Sequence, residues 1–129
     1  MRIKLISIFV DDQEKALRFY TDVLGFKKKQ DFPVGGPRWI TVVSPDGPDD
    51  LELVLEPNGH PAASAYQSAL MKDGIPATAF ESMDIHSEVQ RLKERGVVFT
   101  MEATVAGTVT VAIFSDTCGN LIQIYQPKT

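Results

Sequence analysis

Apolar and polar positions fall into short blocks separated by turn formers. Residues 3–10, IKLISIFV, are apolar and β-branched almost throughout, the pattern of a buried strand. The period then changes in DDQEKALRFYTDVLGF, where Ala16, Tyr20 and Val23, with Leu17 and Leu24 alongside, recur at helical spacing. Asp11 with Glu14 three positions on makes a capping-box pattern, and Asp12 is an equally good cap. Gly25 stands where a helix end wants a left-handed residue. Three extended segments follow, FKKKQDF, RWITVVSP and LELVLEP, divided by PVGGP and PDGPDD, both dense in turn formers. The order predicted is β-α-β-β-β.

NGHPAASAYQSALMKDG breaks the extended run. Pro61 suits a first helical turn, and Ala62, Ala65, Tyr66, Ala69 and Leu70 after it suggest a short connecting helix. The opening pattern then returns. IPATAFE reads as a strand, Asp84 caps a helix carrying Ile85, Val89 and Leu92, and Gly96 closes it. VVFTMEAT, TVTVAIFSD and NLIQIYQ are three more strands. Aligning Asp12 with Asp84 also aligns Leu17 with Val89 and Tyr20 with Leu92. The expected fold is therefore α+β, one domain over residues 1–129, built from two tandem βαβββ units at 1–57 and 75–129 with a connector at 58–74. A twisted sheet with its helix on one side leaves the other face open. Two such units are expected to offer a concave cleft of eight strands, the kind of surface small-molecule sites favour.

Composition narrows the function classes. With 43% hydrophobic and 23% charged residues the chain is an ordinary globular one. A net charge of −4 and a pI near 5.1 argue against a nucleic-acid surface, which needs clustered Lys and Arg. Lys27-Lys28-Lys29 reads as a solvated, edge-protecting strand segment. Cys118 is the single cysteine, so no disulfide framework exists, and its turn context DTCGN suggests an idle surface thiol. No apolar stretch approaches a membrane span, and the N-terminal apolar run is too short for a signal peptide. The expectation is a cytoplasmic protein with no membrane partner.

ISIFVDDQEKALRFYTDVLGF, LELVLEP, AFESMDI and DTCGNLIQIYQ, in that order and spacing, resemble the vicinal oxygen chelate superfamily. That group holds lactoylglutathione lyase (glyoxalase), bleomycin-resistance proteins, fosfomycin-resistance enzymes and extradiol dioxygenases. The resemblance covers essentially the whole chain and implies the paired βαβββ fold. It also implies a homodimer, since two open cups that pair would cover sheet edges and apolar rims. In metal-using relatives four inward side chains, usually His and Glu, hold one divalent ion. Those positions fall here on Leu5, Glu52, Ala77 and Gln123. Leu5 and Ala77 have no donor atom, and one carboxylate plus one amide is too little for a transition ion that wants three or more ligands. The expectation is no metal and no other cofactor.

What remains are side chains for binding or proton transfer. Glu52 would face inward with Val54 and Glu56 if Leu51, Leu53 and Leu55 face the helix, and two poorly solvated carboxylates on one face raise each other's pKa. Glu52 is thus the candidate base. Gln123 either pairs with Glu52 or contacts a ligand, and Tyr125 shares its face. Ser7 and Phe9 share a face with Leu5. Of Arg38 and Trp39 one must point inward, Trp39 as an aromatic wall or Arg38 for an anionic substrate; the strand's parity is open. His60, beside Pro61, suits capping, and His86 follows the buried-looking Ile85 on the solvent side of its helix. Two readings lead: a metal-independent binder of a small, partly aromatic molecule, and a glyoxalase-type lyase or isomerase using Glu52 as proton shuttle. A third is a partner-binding module whose cleft is filled by Leu5, Phe9 and Trp39.

Overall fold

The computed structural model describes residues 1–128. Its elements are β1 (Leu5–Val10), α1 (Gln13–Arg18), a π-helical turn (Phe19–Val23), β2 (Lys27–Pro33), β3 (Arg38–Val43), β4 (Glu52–Pro57), α2 (Pro61–Lys72), β5 (Thr78–Glu81), α3 (Ile85–Glu94), β6 (Phe99–Ala106), β7 (Val109–Ser115) and β8 (Leu121–Pro127). They form two compact units, Met1–Tyr66 and Gln67–Thr129, so the division falls inside α2. Each unit has one four-stranded sheet, ordered β1-β4-β3-β2 and β5-β8-β7-β6. In both, first and last strands run parallel and the other pairs antiparallel. The tandem βαβββ fold expected from the sequence is the fold observed.

In the first unit the helix packs on one sheet face because the apolar stripe of α1 meets alternate strand residues. Ala16, Leu17, Phe19 and Tyr20 are buried with Ile8, Val10, Ile40, Val42 and Leu55. Of the two cap candidates Asp12 is used: its carboxylate accepts from Lys15 N at 3.0 Å, while Asp11 pairs with the Lys15 side chain at 3.2 Å. The sequence pattern missed the π-turn. Thr21 donates to Leu17 O at 2.6 Å, and Leu24 N reaches back five residues to Phe19 O at 3.0 Å. The wider turn lets Phe19 and Tyr20 both go inside, with rings edge to face at 5.6 Å. Gly25, at φ +92°, then ends the segment as its position suggested.

The second unit repeats the scheme with α3, which buries Ile85, Val89 and Leu92 at helical spacing. Asp84 accepts from Ser87 N at 3.2 Å and Ser87 Oγ at 2.8 Å, and these bonds hold its carboxyl below the usual range. Gln126 braces the same helix end, accepting from Ile85 N at 2.8 Å and donating to Met83 O at 3.0 Å.

The connecting helix expected from Pro61 forms as α2, and one other expectation needs correcting. The inward side of α2 is carried by Ala63 and Gln67, with Leu70 and Met71 half-buried, whereas Ala62, Ala65 and Ala69 are exposed and Tyr66 is 61% exposed. Alanines on every side of this helix leave its apolar stripe undefined. Cys118 is buried, not a surface thiol. Its turn folds inward because Asp116, itself fully buried, accepts from Cys118 N at 2.7 Å, Asn120 N at 3.0 Å and Asn120 Nδ2 at 2.7 Å. Gln67 seals the turn by donating to Cys118 O at 3.0 Å and Asn120 Oδ1 at 3.1 Å. Gly119, at φ +99°, is required twice over, since a Cβ there would stand 2.7 Å from Gln67 Nε2.

Candidate functional site

Cross-strand register sorts the helix-free face of the first sheet into rows. Leu5 lies beside Glu52, Ser7 beside Val54 and Phe9 beside Glu56. Thr41 stands opposite Val54, Gln30 opposite Thr41, and Phe32 opposite Trp39. Partners in a ladder share a face. One end therefore carries Glu52 and Leu5, the middle Ser7, Val54, Thr41 and Gln30, and the far end Phe9, Glu56, Trp39 and Phe32. Leu5 is 47% and Phe32 48% exposed, while Phe9, Trp39 and Glu56 are half-buried.

That register resolves the parity of β3. Trp39 shares the Glu52 face, and Arg38 points to the side that α1 covers. There Arg38 donates to Asp31 at 2.7 and 3.1 Å and to Glu14 at 2.7 Å. Its guanidinium holds the Asp31 carboxyl below the usual range, and the two carboxylates push its own pKa up. Arg38 is thus a structural clasp between β2, β3 and α1. The nearby Gln13 amide accepts from Arg38 N at 3.0 Å and donates to Arg38 O at 2.6 Å and Leu55 O at 2.9 Å.

Glu52 is 3% exposed and fully engaged on one oxygen. Its Oε1 accepts from Gln30 Nε2 at 2.6 Å and Thr41 Oγ1 at 2.7 Å, and Lys29 Nζ lies 3.8 Å from Oε2. A β-bulge between Lys28 and Gln30 is what lets two sequence neighbours, Lys29 and Gln30, address one carboxylate. The expected upward pressure from Glu56 does not operate. Four residues along a strand separate the two carboxylates by about 13 Å, beyond the screening length of physiological salt. Instead the bonds from Gln30 and Thr41, then the Lys29 charge, hold the Glu52 carboxyl below its ordinary value against the opposing cost of burial. Gln30 and Thr41 were not among the sequence candidates; only a known register could have paired them with Glu52.

On the second sheet Gln123 lies beside Ala79 and opposite Ile113, and Tyr125 beside Glu81 and opposite Val111. Both keep the helix-free face that alternation in NLIQIYQ assigned them. The Gln123 amide is half-buried and has no side-chain hydrogen bond among the described residues. The register sets Ala79, not Ala77, directly beside Gln123, and Ala77 stands just before β5, its N–H donating to Leu121 O at 2.8 Å. His60 caps α2, its Nδ1 accepting from Ala62 N at 3.0 Å, and His86 is exposed on α3.

These positions do not fit a metal ion. The neighbour of Glu52 is Leu5 and the neighbour of Gln123 is Ala79, hydrocarbon in both cases. Glu52 has one oxygen committed to two donors and a lysine ammonium at the other, which a cation would have to displace. Among the described residues no group of three or more His, Cys, Asp and Glu side chains could ligate one. What the faces offer instead is apolar and aromatic area with a few polar groups.

A tandem βαβββ fold with a helix-free sheet face in each unit defines a class, and sequence comparison gives the family. The sequence model of the Glyoxalase/Bleomycin resistance protein/Dioxygenase superfamily matches residues 2–124, and the chain belongs to that superfamily. YurT of Bacillus subtilis (strain 168) is 60% identical over 126 residues, spanning 98% of this chain and 99% of its own. The crystal structure of UcmS2 matches with a TM-score of 0.84 at 30% identity, covering 97% of both chains. That of TnmS3, an antibiotic binding protein from Streptomyces sp. CB03234, matches with a TM-score of 0.76 at 28% identity, covering 99% of this chain and 97% of its own. No helix of the described residues is long and apolar enough to cross a membrane.

Proposed function

We propose that this protein binds a small, flat, largely apolar organic molecule on the helix-free sheet faces and does so without a catalytic metal. The observation that carries the reading is the state of Glu52: at the position where metal-using relatives keep a ligand, its carboxylate is already held by Gln30 and Thr41 and faced by Lys29. In the first unit Trp39 and Phe9 supply aromatic area; in the second, taken by itself, Tyr125 does so beside the Gln123 amide, which has no side-chain hydrogen bond among the described residues and can give and take one at once. The likeness to the antibiotic binding protein TnmS3 supports a role of that kind. The lyase or isomerase alternative loses ground, because a carboxylate stabilised as the anion is a weakened base. A homodimer in the cytoplasm is part of the same proposal, with the edge strands β1 and β2 in the first sheet available to a partner.

Trp39 is the only tryptophan, so its fluorescence reports directly on this face. A panel of planar two- and three-ring compounds is expected to include members that quench Trp39 and raise the melting temperature together. If none changes either signal, the binding reading fails.

A further inference from the structure

The far end of the first sheet has a feature that the small-molecule reading does not by itself require. The β3–β4 ladder pairs Thr41 with Val54 and Val42 with Leu53. One step further the direct backbone bonds stop. The Gln13 amide takes their place, donating to both Arg38 O (2.6 Å) and Leu55 O (2.9 Å) from one nitrogen. The two strands are thus spaced by an inserted amide rather than by a shared hydrogen bond. Carrying the register two residues on puts Trp39 across from Glu56 on the open face, with Phe32 beyond Trp39 and Phe9 beyond Glu56. Trp39 and Glu56 therefore flank the place where the β3–β4 pairing ends, a notch in the ladder with the Gln13 amide behind it.

Its chemistry is one-sided. Glu56 is half-buried, and its carboxylate has no hydrogen bond or ion pair among the described residues, unlike Glu52. The indole of Trp39 is likewise half-buried and unbonded. Arg38, next to Trp39 on β3, points to the other side of the sheet and is neutralised there by Asp31 and Glu14. A carboxylate beside aromatic rings, with no ion pair among the described residues while the Lys29 ammonium on the same face is held at Glu52, attracts a cation by charge and by the ring quadrupoles together.

Resting on the small-molecule reading, we infer that the Trp39–Glu56 notch selects ligands carrying a protonated amine on a flat aromatic body. The amine faces Glu56, and the ring system lies on Trp39 and Phe32. The ring body then lies along the accessible Trp39–Phe32 row, because Thr41 in the next row is fully buried, and anionic ligands are excluded.

The test compares 9-aminoacridine, a flat cation at neutral pH, with acridone, a neutral molecule of the same three-ring width, by calorimetric titration of the full chain. The cation is expected to bind about tenfold more tightly. Glu56→Gln removes the charge but keeps the shape, and should bring the two affinities within about twofold, an amount set by loss of the charge contribution alone. Its melting temperature should match the parent's, since no bond within the unit is lost. Trp39→Leu should weaken both ligands. Equal affinities in the parent protein, or a preference that survives Glu56→Gln, overturn the amine notch while leaving the binding reading in place. If neither compound binds, both readings fall. A Trp39→Leu chain that dissociates from dimer to monomer without any ligand effect would assign this face to a second copy, which also overturns the inference.

Discussion

Replacing Thr41 by valine tests the grip on Glu52 with little change of shape. Thr41 is fully buried, as is nearly all of Glu52, and the bond from Thr41 Oγ1 to Glu52 Oε1 is 2.7 Å. Hydrogen bonds to charged groups contribute about 1.5–3 kcal/mol. Gln30 keeps its own bond at 2.6 Å and Lys29 stays within 3.8 Å, so the carboxylate is weakened rather than orphaned. The lower half of that range applies, about 1.5–2 kcal/mol. The pH dependence has a fixed sign. Glu52 titrates lower in the folded chain than its ordinary value of 4.5, so its contribution is fully present above that value and is lost as pH falls through the folded pKa. Urea unfolding at pH 7 should therefore show the full deficit for Thr41→Val. The deficit should shrink in acid as Glu52 becomes protonated in both proteins. Indistinguishable unfolding midpoints at pH 7, or a deficit that does not change down to the acid limit of folding, would refute a charge-assisted bond at this position.

Other outcomes follow from the same geometry. Gly119→Ala should destabilise by about 1–3 kcal/mol in urea unfolding, because the new Cβ meets Gln67 at 2.7 Å and the backbone is left-handed there. Gln126→Ala should cost about 1 kcal/mol and raise amide hydrogen exchange at the start of α3, where the Ile85 N–H loses its acceptor. Arg38→Ala should lower the melting temperature yet leave ligand affinity unchanged, since the guanidinium serves Asp31 and Glu14 on the helix side. A loss of affinity at unchanged stability would place Arg38 in the site after all.

Much of this fold is legible in the sequence because punctuation and period agree: most strand blocks end at Gly, Pro or Asp, and the helices α1 and α3 both start at an aspartate cap. The illegible parts share a cause, namely that they depend on which strand residue meets which. In RWITVV the inner residues are buried on both faces, so alternation of polarity could not tell Trp39 from Arg38. The bulge before Gln30 shifts register by one residue without any glycine to announce it, and with it goes the pairing that holds Glu52. Gln67 was invisible for another reason. A polar residue in an alanine-rich helix reads as solvated until its partners, Cys118 O and Asn120, are seen fifty residues away. Candidate binding residues with an isolated strand position, Gln123 and Tyr125, were read to the correct face from alternation alone.

Metal content tests the central claim most directly. Protein grown and purified with supplemented Mn, Fe, Ni and Zn, then desalted and analysed by mass spectrometry of the elements, should carry far less than one transition ion per chain, and Glu52→Gln should leave that figure unchanged. One equivalent of a single ion, lost on Glu52→Gln, would contradict the account.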